Sequence, residues 1–389
     1  MRIAIVYDCL FPHTVGGAER WYRNLAERLD GSHEATYLTR RQWGRDQHPG
    51  TNFTLVAVSP GGDLYTRSGR RRIGPPLRFG IGVFWHLLRH AKRYDVVHCA
   101  AFPYFSLLGA AFALRLRRGG HLVVDWHEVW SRDYWISYLG PVGGRIGNLV
   151  QRICARLGER RFAFSRLHAG RLAAEGRAPV TRLTGEYTDE ADRLTEDADR
   201  LTGDRPPLVV FAGRHIPEKR VTLVPEVIAR ARQTLPSLRC SIFGDGPERD
   251  EVAKRVEELG LGDAVDLAGA VPGGEVRRAI AQAACLLLPS SREGYGLVVV
   301  EALARATPAV VVAGPDNAAT ELIESGGNGF VAPSADPAAI ADQVVEVIQR
   351  GTELRRSTLE WYRAHAKELS IDNSLETVEA TYRELSARS

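Results

Sequence analysis

The sequence is poor in everything that would staple, anchor or metallate a chain. Its five cysteines (Cys9, Cys99, Cys154, Cys240 and Cys285) are odd in number, far apart and without a CxxC pair. That argues against a disulfide framework and against a zinc site, and fits a reducing compartment, the cytoplasm. No HExxH, GxSxG or Walker A pattern occurs, so zincin, serine-hydrolase and P-loop chemistry have no foothold. The uncharged run Ala100–Leu114 is 15 residues with Pro103 inside it, against the roughly 20 needed to cross a bilayer. The opening MRIAIVYDCLFPH meets Asp8 early and lacks the charged, apolar, small-residue order of a signal peptide. What is present is ordinary and ample: 389 residues, 44% hydrophobic and 25% charged, with 38 Gly and 20 Pro dispersed. This excludes general disorder and gives enough chain for two or three domains with real cores.

Lysine is scarce too: 47 of the 51 cations are arginine. The formal charge of +4 hides an asymmetry, since residues 1–185 hold 28 Arg+Lys against 13 Asp+Glu and the remainder 23 against 34. Within the basic half, residues 67–93 carry eight cations and no acid, interleaved with Phe79, Phe84, Trp85, Leu87 and Leu88. Such a segment is either a solvated arginine-rich face or a peripheral contact for an anionic membrane or an acidic acceptor. No nucleic-acid reading module accompanies it, so nucleic acid is not an expected partner.

Short apolar runs alternate with helical periodicity throughout. Ile3–Tyr7, Ala35–Thr39, Phe53–Ser59, Asp95–Cys99, Leu122–Asp125, Phe162–Ser165 and Val180–Leu183 read as strands. So do Leu208–Ala212, Arg239–Phe243, Ala264–Leu267, Cys285–Leu288 and Ala309–Ala313. Between them lie stretches such as Ala18, Trp21, Tyr22, Leu25, Ala26 and Leu29, one face of a helix. The alternation predicts an α/β protein of two doubly wound parallel-sheet domains. The expected boundaries are 1–187, an acidic linker at 188–206 with ADRLT written twice, 207–368, and a last helix at 369–389 whose apolar stripe needs a partner surface. In such sheets ligands bind beyond the carboxyl ends of strands, so chemistry is expected in the loops there.

Five of those loops carry candidate residues. After Cys285–Leu288, Glu293 and Glu301 stand eight apart around Gly294-Tyr295-Gly296-Leu297. The glycines let backbone approach a ligand, helix N–H groups favour phosphate, and Glu301 suits a ribose hydroxyl; otherwise this is a capped helix with two surface acids. After Leu208–Ala212, Arg214 and Lys219 suit a diphosphate, or are solvated loop cations. After Ile3–Tyr7, Gly16-Gly17 opens a helix and suits an anion. After Leu122–Asp125, His127 offers a hydrogen bond to a sugar hydroxyl. Gly244 and Gly246 form a further tight turn before a helix. By contrast, Asp197-Ala198-Asp199 spells a metal-binding triplet without a strand before it, and no metal is expected there.

The stretch SSREGYGLVVVEALARATPAVVV resembles the E-x7-E segment of the retaining glycosyltransferases of family 4, whose architecture is GT-B, and the similarity extends over nearly the whole chain. The resemblance implies two Rossmann-like domains facing a central cleft, with the last helix crossing back onto the first. It implies Glu293 by the donor sugar, Glu301 on the nucleotide ribose, and Arg214 and Lys219 neutralising the pyrophosphate. Gly16 and Gly17 would lie near donor phosphate and acceptor, His127 at the donor sugar, and Gly244 and Gly246 along the nucleotide. The expected reaction is metal-independent transfer of a hexose-type sugar from a nucleotide-diphosphate sugar to a hydroxyl acceptor (glycan, lipid-linked or small molecule), with no cofactor, in the cytoplasm or at the inner face of its membrane. A glycoside phosphorylase or nucleotide-sugar epimerase on the same architecture is the alternative, and a non-catalytic binder a third. Two departures touch the site: Thr184-Gly185-Glu186-Tyr187 stands where relatives have an Asn-Gly turn, and Gly314-Pro315-Asp316-Asn317 where many have Gly-Gly before Pro-Glu. The first bears on the hinge and acceptor side, the second on the pocket rim.

Overall fold

The computed structural model describes residues 1–29, 31–44, 49–64, 72–176, 178–187 and 202–387. Most of the acidic linker, with the Asp197–Asp199 triplet and nearly all of the ADRLT repeat, lies outside the described residues, as does the start of the basic segment. The chain divides into two compact units, Met1–Glu186 with Asp372–Ser389, and Tyr187–Ile371.

The first unit is built on seven strands: β1 (Arg2–Val6), β2 (Glu34–Arg40), β3 (Thr54–Ser59), β4 (Val96–Ala100), β5 (His121–Trp126), β6 (Arg160–Ala163) and β7 (Val180–Arg182). They pair in the order β3-β2-β1-β4-β5-β6-β7, every pair parallel. Ile3 sits opposite Ala35 on one side and Val96 on the other. Central strands covered on both faces need apolar residues at successive positions; Ile3 to Val6 are fully buried, as are Val96 and Val97. The strand order reverses between β1 and β4, so their carboxyl ends are the natural ligand position of this sheet. Helix α1 (Gly17–Leu29) buries Trp21, Tyr22, Leu25 and Leu29. Helices α2 (Gly74–His90), α3 (Tyr104–Arg117), α4 (Arg132–Cys154) and α5 (Arg166–Glu175) share one core with Val6, Val97, Val124 and Trp126. The sixth strand ends two residues before its expected end because Ser165 leaves the sheet to cap α5, accepting a hydrogen bond from His168 N at 3.2 Å.

The second unit repeats the plan with β8 (Leu208–Ala212), β9 (Arg239–Phe243), β10 (Val265–Gly269), β11 (Cys285–Leu288), the short β12 (Arg292–Glu293), β13 (Ala309–Val312), the short β14 (Asp316–Asn317) and β15 (Gly329–Ala332). The main sheet runs β10-β9-β8-β11-β13-β15, reversing between β8 and β11. Helices α6 (Val224–Thr234), α7 (Arg249–Glu258), α8 (Gly273–Gln282), α9 (Leu297–Leu303) and α10 (Pro337–Leu369) complete it. Three of its strands escaped the sequence reading. β15 is four residues opening on a glycine, and β12 and β14 are two residues each, too short to show a period.

The final helix, α11 (Ile371–Ser386), lies almost wholly in the first unit. Tyr382 is fully buried and its hydroxyl hydrogen-bonds His98 Nδ1, Arg28 pairs with Asp372, and Asn373 Nδ2 donates to Thr184 Oγ1 at 3.2 Å. The predicted stripe Leu375, Val378, Tyr382 and Leu385 is buried throughout. Among the described residues no helix is long and apolar enough to cross a membrane; Ala100–Leu114 is the end of β4, a turn at Pro103 and most of α3. All five cysteines are free and buried.

Candidate active site

In the second unit the loops after β8 and β11, neighbouring strands at the reversal point, are joined three times. Ser291 N donates to the Glu218 carbonyl at 2.8 Å, Arg292 Nη2 lies 3.5 Å from Glu218 Oε1, and Lys219 Nζ lies 2.5 Å from Glu293 Oε1. Lys219 closes a single 3-10 turn, Pro217–Lys219. Glu293 is 8% exposed, and its backbone is held by pairing of β12 with β14. A near-buried carboxylate in contact with an ammonium is a charge pair held in a low-dielectric place, stabilised only while both partners remain. Arg214 is exposed two residues after β8, between Gly213 N and His215 N, which donate to Phe243 and Asp245 at 3.1 and 2.9 Å.

The glycine turn after β9 packs against that same loop. Gly244 has φ +121°, and a β-carbon there would meet the Gly213 carbonyl oxygen at 1.9 Å. Only glycine allows both the left-handed backbone and that approach. Gly246 lies against the backbone of His215. Gly294, Tyr295, Gly296 and Leu297 form the turn into α9; Tyr295 is buried, Gly296 adopts φ +102°, and its carbonyl accepts from Val299 N at 2.8 Å. Glu301 is half-buried on α9, its carbonyl accepting from Arg305 Nη1 at 2.7 Å. Asn317, buried at 1% exposure, donates to the carbonyls of Ser290 and Val312 at 3.1 and 2.8 Å and caps the following turn through Ala319 N. The chain's own Asp316-Asn317 sequence thus ties the rim loop to the loop that carries Glu293.

In the first unit, Gly17 starts α1, and Arg20 N donates to the Gly16 carbonyl at 3.3 Å. His127 follows β5 directly, stacked on Phe164 with ring centroids 4.3 Å apart and planes 3° off parallel. Its Nδ1 lies 3.3 Å from Glu186 Oε1. Glu186 Oε2 stands 3.8 Å from where a Gly17 β-carbon would be, so one carboxylate links His127 to the start of α1, where the helix dipole favours negative charge. Sequence reasoning marked the stretch 184–187 as a departure but gave Glu186 no role.

Behind His127 lies a buried array that was not foreseen. His98 Nε2 is 2.6 Å from Asp125 Oδ1, and Trp21 Nε1 donates to Asp125 Oδ2 at 2.7 Å. Burial by itself raises the Asp125 carboxyl, but the charge and hydrogen bond of His98, aided by His127 and Trp21, overcome it and hold the group below its ordinary value. Desolvation, then Asp125, pushes the Tyr22 hydroxyl well up, so it stays protonated. Among the described residues no group of three or more His, Cys, Asp or Glu is placed to hold a metal ion.

Comparison with known proteins agrees with this arrangement. Residues 15–183 match the family model described as Glycosyltransferase Family 4, and residues 192–360 the model described as Glycosyl transferases group 1. The GDP-mannose-dependent alpha-(1-6)-phosphatidylinositol monomannoside mannosyltransferase of Mycolicibacterium smegmatis is 26% identical over 357 residues, 87% of each chain. Curated relatives matching at 28–34% identity align over less than half of their own length, 14–43%. Among solved structures, sucrose-phosphate synthase from Thermosynechococcus elongatus superposes over 100% of both chains with a TM-score of 0.78 at 18% identity. Anabaena HepE, solved in complex with UDP-glucose, superposes over 99% of this chain and 100% of its own with a TM-score of 0.72 at 18% identity. The chain belongs to the GT-B glycosyltransferases, its first half of the family 4 type and its second half of the group 1 type.

Proposed function

We propose that this enzyme is a retaining, metal-independent hexosyltransferase that moves a sugar from a nucleotide-diphosphate donor to a hydroxyl acceptor. The observation that carries the reading is the joining of the β8 and β11 loops, which puts Lys219 against Glu293 at the reversal point of the sheet. As the anomeric C–O bond breaks, negative charge grows on the departing diphosphate and must be met by donors already in place. Arg214 and Lys219 are the cations for that charge, one through a planar fork and one as a point charge. The backbone of Gly294–Leu297 and the Gly16-Gly17 turn add N–H dipoles. Glu293 and His127 face the sugar, Glu301 takes the ribose hydroxyls, and Gly244 and Gly246 keep the nucleotide side open. On this reading the acceptor oxygen bonds to the anomeric carbon from the face the phosphate leaves, and the acceptor proton passes to the departing diphosphate. No cofactor takes part.

The test is thermal stabilisation by a panel of UDP-, GDP- and dTDP-linked sugars, followed by assay of the stabilising donor for nucleotide release. UDP-glucose and GDP-mannose head the panel, because one structural neighbour was solved with the first and one sequence relative is named for using the second. At a hundred times Kd, a ligand bound only by the folded form adds about 2.7 kcal/mol. One donor class should raise the midpoint by several degrees, with a product that keeps the donor's anomeric configuration. An unmoved midpoint across the panel, or an inverted anomer, overturns the proposal.

A further inference from the structure

Twelve of the fourteen large apolar side chains exposed among the described residues belong to one face of the first unit. On α2 and its leading residue these are Ile73, Leu77, Ile81 and Trp85, spaced four apart along one stripe. On α3 they are Phe105, Phe112 and Leu116. On α4 they are Leu139, Val142, Ile146, Leu149 and Ile153, the last four forming a stripe after the kink at Gly140. The three helices share one core on the same side of the sheet, so these are their outward faces. Exposure is substantial: 50% for Ile81, 58% for Phe112 and 70% for Val142. Between α2 and α3 the side chains line an open groove of about 460 Å³, walled by Leu77, Ile81, Phe84, Phe105 and Phe112. Exposed apolar patches of this extent mark interaction surfaces.

The charge around the patch selects the occupant. Helices α2 and α3 carry Arg78, Arg89, Arg115 and Arg117, all exposed, and no acid. Helix α4 carries one acid, Asp133, against three arginines. Arg89 extends the α2 stripe by one more step of four, with its guanidinium 5.1 Å from the centre of the exposed Trp85 ring. Protruding aliphatic and indole groups set among arginines match the boundary between acyl chains and anionic headgroups. A second copy docked through the same face by a two-fold axis would set these arginines against one another, whereas anionic lipid meets both the apolar and the cationic parts.

We propose that the α2–α3–α4 face docks this enzyme on an anionic lipid bilayer, its apolar stripes entering the interface and its arginines binding headgroups. This widens the sequence expectation for 67–93, of which 67–71 lie outside the described residues, into a surface of three helices. It stands independently of the donor and stereochemistry proposed above.

The experiment is sedimentation with phosphatidylcholine vesicles containing 30% phosphatidylglycerol, and with phosphatidylcholine alone, at 50 and 500 mM NaCl. The full chain is compared with Ile81→Ser/Trp85→Ser, Val142→Ser/Ile146→Ser and Arg78→Ser/Arg89→Ser, whose exposed positions leave the thermal midpoint unchanged. Binding should favour the anionic vesicles, fall steeply with salt, and drop roughly tenfold or more in each double variant. Failure to bind anionic vesicles at 50 mM NaCl, or binding unchanged in all three variants, overturns the proposal. So does a solution dimer that the apolar variants dissolve while the parent ignores vesicles.

Discussion

Lys219 Nζ sits 2.5 Å from Glu293 Oε1, two residues 74 apart in sequence that join the loops leaving adjacent strands. On the function proposed above, the pair sets the cation for the diphosphate beside the acid for the sugar. Replacing Lys219 by alanine should lower kcat by about 10²–10³ and also lower the donor-free thermal midpoint, because it leaves the near-buried Glu293 carboxylate without the ammonium 2.5 Å away. Lys219→Arg should recover only part of the rate, since a planar fork does not replace a compact point charge. Steady-state nucleotide release checks both; unaltered turnover in Lys219→Ala and Glu293→Ala would remove these residues from the site.

Glu186 holds His127 Nδ1 at 3.3 Å while its other oxygen reaches the start of α1. Glu186→Gln keeps the shape and deletes the charge. We expect roughly a tenfold loss in kcat with the stabilisation by nucleotide little changed, since the ribose acid Glu301 and both cations proposed for the diphosphate belong to the other unit. Equal losses in nucleotide stabilisation and rate would make Glu186 a folding element instead.

Acid should act in two steps. Burial, then His90 and Arg93, pushes His86 down to about 4 from 6.5. The folded form therefore keeps this imidazole neutral while the unfolded form takes up a proton, and stability falls as pH drops from about 6.5 towards 4. Asp125 has the opposite shift. Its folded value lies below the ordinary 3.8, so its contribution is intact above about pH 3.8 and disappears as pH falls further, through the folded value. Thermal midpoints between pH 8 and 3 should show both, and His86→Gln should flatten only the upper limb.

Asp125→Asn removes the fully buried carboxylate that meets His98 Nε2 at 2.6 Å and accepts from Trp21 Nε1 at 2.7 Å. Leaving such buried polar groups imperfectly paired costs about 1–3 kcal/mol. The melting of the first unit should shift down by several degrees, read most directly by proteolysis at rising temperature.

Gly244→Ala forces a side chain into φ +121° with a carbonyl oxygen at 1.9 Å. Backbone strain alone costs about 1–3 kcal/mol, and the Gly213–Arg214 loop must also move. Loss of stability together with weakened nucleotide binding is the expected signature; Gly274→Ala, with only the tip of Arg277 nearby, serves as the silent control.

Why some of this was legible in the sequence is a matter of range. Buried parallel strands such as Cys285–Leu288 and Ala309–Val312 write themselves as unbroken apolar runs, and α1 as a stripe repeating every three to four residues. Strand-then-loop order alone placed Arg214, Lys219 and Glu293 beyond strand ends. What stayed hidden has no local period: the Ser291–Glu218 joint, the cradle that Asn317 builds, and the link from Trp21 through Asp125 and His98 to Tyr382. Each depends on side chains that meet only after the sheets have ordered their strands. Glu186 was visible only as a letter out of place.

The hydrogen bond between His98 and Tyr382 spans 284 residues of chain. A ribosome adding 5–20 residues per second needs on the order of 15–60 s to supply the second partner after the first. For that interval the nascent amino-terminal sheet waits with a polar imidazole and its aspartate lacking the tyrosine that seals them. The first half to be translated is thus among the last to be finished.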